Sequence, residues 1–103
     1  MSLPKEMDAL VLKGVRDFTI NKVPVPVPDS DEVICKVDTT YICGTDPHII
    51  GGDFPSFWPT GFPFVPGHEW SGTIVQSGPK ASLLGWNEGD RVCGISHCGC
   101  GYC

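Results

Sequence analysis

Two groups of side chains in this chain have the chemistry to ligate a metal. The first is split between Cys43-Gly44-Thr45-Asp46-Pro47-His48 and Pro66-Gly67-His68-Glu69-Trp70-Ser71-Gly72. Zn²⁺ takes thiolate sulfur at about 2.3 Å and imidazole nitrogen at about 2.0–2.1 Å. Cys43 and His68 supply one of each, turn residues frame both, and the chain between them is long enough to loop back. Glu69 sets a carboxylate beside His68. It has three open roles: direct ligand, a ligand exchanging with water, or a charge that tunes the local field. The second group is Cys98-Gly99-Cys100-Gly101-Tyr102-Cys103. Cys100 and Cys103 have the spacing of a closed, structural zinc site. Cys98 sits one residue too close to Cys100 for that spacing and counts as an additional donor, with His97 as a substitute. One chain thus holds the beginnings of an open, catalytic site and of a closed one.

Taken singly, each residue has a plainer reading. Cys43 is a buried thiol at a strand end, His68 a satisfied imidazole, Asp46 a turn carboxylate, Thr45 a local cap and His48 a surface ring. It is the conjunction that argues otherwise. Cys-Gly-Thr-Asp-x-His (Cys43–His48), Gly-His-Glu-x-x-Gly (Gly67–Gly72), Gly-Asp-Arg-Val (Gly89–Val92) and Cys-Gly-x-Cys (Cys100–Cys103) occur in that order. The order resembles that of the zinc-dependent medium-chain alcohol and polyol dehydrogenases. The resemblance covers nearly the whole chain, and the long Cys43–His68 separation is similar to the sorbitol and threonine dehydrogenase branches.

The resemblance implies a GroES-like small β-barrel and hydride transfer between an alcohol or polyol and NAD or NADP. It implies zinc in both sites: Cys43, His68 and Glu69 for the catalytic ion, Cys100 and Cys103, with Cys98, for the structural one. The third catalytic ligand and the remaining structural cysteines would follow Cys103. Zinc bound there would lower the pKa of an alcohol so that hydride can leave for the nicotinamide. Thr45 would take up the proton and His48 would carry it to solvent. Asp46 would accept the N–H of His68 and fix its tautomer. A homo-oligomer is the expected state of the full-length protein. Zinc-free quinone reductases share the barrel but lack this Cys and His.

Length and composition bound these expectations. At 103 residues the chain makes one small domain with a marginal core. Its 13 Gly and 10 Pro favour turns and short strands over long helices. A net charge of −5 argues against nucleic acid or an anionic membrane as partner. No apolar run approaches the roughly 20 residues that span a bilayer, and no secretory leader is evident. Six cysteines would also suit a secreted disulfide scaffold. Their crowding at the end, without a leader, favours metal and a reducing compartment, the cytoplasm.

The elements that must hold these residues read as short strands. They are Asp8–Lys13, Phe18–Val23, Glu32–Tyr41, Glu69–Gln76 and Asp90–Ile95, with no strong helix pattern. Pro24-Val25-Pro26-Val27-Pro28 is an extended connector, because each Pro lacks a donor. Asp29-Ser30-Asp31 is a turn. Residues 51–66 form a loop carrying Phe54, Phe57, Trp58, Phe62 and Phe64, aromatics expected to pack, with Phe57 or Trp58 a candidate wall for a substrate pocket. Cys35 and Cys93 are expected to pack within strands. No Gly-x-Gly-x-x-Gly strand–helix turn is present, so the expectation is the N-terminal part of a catalytic domain (1–103), with the nucleotide-binding Rossmann domain absent from this chain and the chain alone inactive. The alternatives are a stand-alone zinc-binding or chaperonin-like β-barrel module without enzymatic activity, and a disulfide-stapled secreted domain.

Overall fold

The computed structural model describes residues 3–96. The strands are β1 (Glu6–Gly14), β2 (Asp17–Pro24), β3 (Val33–Tyr41), β4 (Glu69–Ser77) and β5 (Arg91–Cys93). Two short helices accompany them, α1 (Asp46–Ile50) and α2 (Pro79–Leu83). The chain is mainly β, as composition and turn residues predict, and all five strands lie within about two residues of their expected positions.

Two compact units divide the chain. Among the described residues, one is built from Pro26–Tyr41 and residues 68–96; the other from residues 3–25 and Ile42–Gly67. In the first, β3, β4 and β5 pair antiparallel in the order β3-β4-β5. The β3–β4 register runs from Val33↔Ser77 to Tyr41↔Glu69 and is interrupted by two irregularities. One of them, between Val37 and Thr39, faces Gly72. A Cβ added at Gly72 would collide with the Lys36 carbonyl oxygen, so the final glycine of the Gly-His-Glu-x-x-Gly run is required by close backbone approach. Ile74, at 1% exposure, and Ala81 are this unit's buried apolar residues. Residue 78 accepts Ser82 N–H and donates to Glu32, and Ser30 accepts from Lys80 and Ala81, which ties α2 to the turn before β3.

In the other unit β1 and β2 form an antiparallel pair from Glu6↔Pro24 to Gly14↔Asp17. Pro24 ends β2 with Val25 N–H donating to Lys5 beyond it, consistent with a proline confined to a strand end. Leu12 is fully buried and bridges Phe64, its N–H donating to the Phe64 carbonyl at 2.8 Å and its carbonyl accepting at 2.9 Å. Val11 and Ile49 complete the buried apolar set. Residues 51–66 form the expected loop of turns and bends.

Some expectations differ from the structure. The helices were not legible because each has five residues, too few for an apolar period to show, and each carries a proline in its first turn, where the missing N–H costs nothing. The loop aromatics are less packed than expected: Phe57 is 77% exposed and Phe62 46%, while Trp58 and Phe64 meet edge to face with centroids 6.0 Å apart. Cys93 lies in β5 but is exposed, because β5 has only three residues at the sheet edge. The second cysteine group, Cys98, Cys100 and Cys103, lies outside the described residues. Among the described residues, no helix is long and apolar enough to cross a membrane.

Candidate active site

The segment after β3 builds one half of the site. Asp46 Oδ2 accepts the Cys43 backbone N–H at 2.9 Å, and Asp46 N–H donates to the Cys43 carbonyl at 3.0 Å. This reciprocal pair closes a tight turn at Cys43-Gly44-Thr45-Asp46. The turn leads directly into α1, with Thr45 at the N-cap position and Pro47 within the first turn. The Thr45 side chain makes no cap bond. Its hydroxyl donates instead to the Cys43 sulfur at 3.3 Å. Cys43 is a half-buried free thiol. The sulfur thus faces a hydroxyl that can both donate and accept.

His48 lies on α1, exposed, with its Nδ1 2.6 Å from Asp53 Oδ2. Asp53, beyond the helix, was not singled out from sequence. The signal was there in His-x-x-x-x-Asp across a Gly-Gly turn, but nothing in a period argument gives that return of the chain.

The start of β4 carries the other residues. Pro66 and Gly67 turn the chain, Gly67 at φ 112°, and the half-buried His68 precedes the exposed Glu69, the first residue of β4. Glu69 is the register partner of Tyr41, and its carbonyl accepts the Thr40 hydroxyl at 3.0 Å. Cys43 follows Tyr41 by two residues and His68 precedes Glu69 by one. At no more than about 3.8 Å per residue step, covalent connectivity tethers both closely to the same end of the ladder.

The donor types suit zinc: a sulfur, an imidazole nitrogen and a carboxylate oxygen are its ordinary ligands. The Thr45 hydroxyl on the Cys43 sulfur is the structural observation in favour of that fit. By contrast, burial raises the thiol of Cys35, in the middle of the β3–β4 ladder, above its usual range. Burial without a cation or donor favours the neutral thiol and makes Cys35 a poor ligand.

The chain is thus mainly β and carries both Cys-Gly-Thr-Asp-x-His and Gly-His-Glu. The model of the alcohol dehydrogenase GroES-like domain matches residues 29–103, and the chain belongs to that family. It is 45% identical over 96 residues to D-arabinitol dehydrogenase 1 of Uromyces fabae, covering 92% of this chain and 26% of that one. It is 42% identical over 92 residues to L-threonine 3-dehydrogenase of Coxiella burnetii, covering 89% and 26%. Among solved structures it is similar to a zinc-binding dehydrogenase of Sinorhizobium meliloti bound to NADP, with a TM-score of 0.84 and 33% identity, covering 97% of this chain and 28% of that one. The chain therefore spans about a quarter of the length of the relatives it matches.

Proposed function

We propose that this chain supplies the zinc ligands and the proton exit of a zinc-dependent, NAD(P)-linked alcohol or polyol dehydrogenase. The observation that carries the reading is the Thr45 hydroxyl donating to the Cys43 sulfur at 3.3 Å, because it sets a proton-carrying group against a metal-ligating one. Cys43 and His68 would hold the catalytic ion, with Glu69 beside them as a ligand, an exchanging ligand or a tuning charge. Asp46 shapes the Cys43 turn and also steadies His68. Cys100 and Cys103, with Cys98, belong to the structural site. Zinc, when bound, polarises an alcohol oxygen and lowers the pKa of its proton.

The remaining work falls to the chain. Thr45 Oγ1 both accepts and donates, so it receives the substrate hydroxyl proton as its own moves on. His48, exposed to water on α1, passes that proton to solvent. A nicotinamide dinucleotide would accept the hydride of the substrate carbon, and these residues offer it no Gly-x-Gly-x-x-Gly turn. The substrate class is a polyol or hydroxy amino acid, in keeping with the arabinitol and threonine dehydrogenases that this chain resembles. The protein acts as a homo-oligomer in the cytoplasm, where free thiols persist.

The test is nicotinamide absorbance on adding NAD or NADP and a panel of polyols and L-threonine to the whole protein, alongside zinc analysis. Turnover that disappears on chelation and returns with zinc is expected. Zinc-independent turnover would overturn the reading. The 103-residue chain alone is expected to give none.

A further inference from the structure

We infer that Asp53 is a positioning residue for His48: its carboxylate fixes the ring and its tautomer, leaving Nε2 as the nitrogen that takes up the departing proton. This rests on the reading of His48 as the proton carrier, and it adds a residue that no sequence motif marks.

The geometry is a short hook at the end of α1. Asp53 N–H donates to the His48 carbonyl at 2.9 Å, and Gly51 N–H donates to the Pro47 carbonyl at 2.9 Å. Gly52 completes the return at φ 74°, where a Cβ would lie 2.8 Å from Val15 Cγ2. Only glycine fits there without strain. The hook brings Asp53 Oδ2 to 2.6 Å from His48 Nδ1. The Phe54 ring adds a tilted contact, its centroid 6.3 Å from the imidazole at 57°. His48 is thus held through its carbonyl, its Nδ1 and one ring contact, all from the two residues that follow Gly51-Gly52.

The chemistry follows from the donor inventory. An ionised carboxylate only accepts, so the hydrogen between the two atoms sits on Nδ1. In the neutral ring the other nitrogen, Nε2, then carries the lone pair. A proton released from the site and carried by water binds Nε2, the imidazolium keeps its Nδ1–H on Asp53, and Nε2–H then gives its proton to bulk water. The bonds made and broken balance, and the ring returns to the starting tautomer. The side chains of His48 and Asp53 are 60% and 53% exposed, which suits delivery to solvent. Exposure also means that the pair contributes little to stability.

Two measurements separate this inference from the reading beneath it. The first is the ¹⁵N ring spectrum of His48 in the 103-residue chain, which reports the tautomer directly. Wild type is expected to show protonated Nδ1 and bare Nε2. Asp53→Asn, whose amide also donates, is expected to lose that preference, and Asp53→Glu to keep it. A wild-type ring with the proton on Nε2, or one that Asp53→Asn leaves unchanged, overturns the inference. The second is steady-state kinetics of the whole protein. Asp53→Asn is expected to lower kcat about 10-fold with KM within about twofold, less than the roughly 100-fold or more of removing an acid or base itself, as suits a residue acting through another. Asp53→Glu is expected to restore most of it. If His48→Ala lowers kcat and Asp53→Asn does not, the inference fails and the relay stands. If His48→Ala changes nothing, the relay itself fails.

Discussion

Tyr41 and Glu69 face each other as the last register pair of the β3–β4 ladder. That pair joins two motifs that the sequence holds far apart. Everything from Ile42 to His68 leaves from one side of it and returns to the other, so Cys43 and His68 are each anchored within two residues of the same rung. A ladder can do this because antiparallel partners sit only about 4.5–5.5 Å apart at Cα.

The anchoring predicts that metal affinity depends on both motifs together. Cys43→Ser and His68→Ala are each expected to weaken zinc binding of the whole protein by more than the roughly 10–100-fold that outer-shell changes produce. Competition against a chromophoric chelator measures this. Glu69→Gln discriminates among its three roles. A loss as large as that of Cys43→Ser marks a ligand, whereas unchanged zinc with altered kcat marks a neighbour.

Thr45 gives a sharper kinetic test. Its hydroxyl donates to the Cys43 sulfur rather than capping α1, so removing it is not expected to cost the helix a cap. Thr45→Val is expected to lower kcat by about 100-fold or more, in the range for a positioned proton-transfer group, and to leave zinc content near wild type. Thr45→Ser keeps the hydroxyl and is expected to retain most activity. Equal losses in both variants would mean that the methyl group matters as much as the hydroxyl and would count against the relay role.

The strands and metal-type residues were legible in the sequence because each depends on local chemistry. β-branched residues in Val33–Tyr41, prolines at 24, 26 and 28, and a Cys and a His framed by turn residues all act within a few positions. What was not legible depends on return of the chain. Asp53 reaches His48 only because Gly52 takes a left-handed turn against Val15. The helices escaped notice because a five-residue element shows no period. Cys93 was misjudged because apolar neighbours in sequence say nothing about an edge position.

Leu12 tests the core of the unit that carries α1. It is fully buried, and its backbone is bonded on both sides to Phe64. Leu12→Ala is expected to destabilise the chain by about 2–5 kcal/mol, the cost of lost transfer energy plus a cavity. In a core this small that is a large share of the total stability. Urea unfolding measures it. A change under about 1 kcal/mol would show that the Phe64 bridge, not the side chain, holds this part of the unit.

Cys35 predicts an alkaline limit to stability. Burial raises its thiol above the ordinary value of 9.0, since a thiolate is poorly solvated within the β3–β4 ladder. The folded chain therefore holds this proton more tightly than the unfolded chain does. Below pH 9 both states keep it and the contribution is fully present. As pH rises past 9 the unfolded state releases its proton first, and stability falls through the raised folded value. Lys and Tyr side chains also titrate in this range, so the informative comparison is wild type against Cys35→Ala. The wild type is expected to lose more stability between pH 8.5 and about 10.5, measured by urea midpoints. Alkylation followed by mass spectrometry supplies an independent check: iodoacetamide at pH 8 is expected to label the exposed Cys93 well before Cys35. Parallel pH profiles for the two proteins, with equal labelling of both thiols, would mean that the Cys35 thiol is reached by water and that the ladder opens around it.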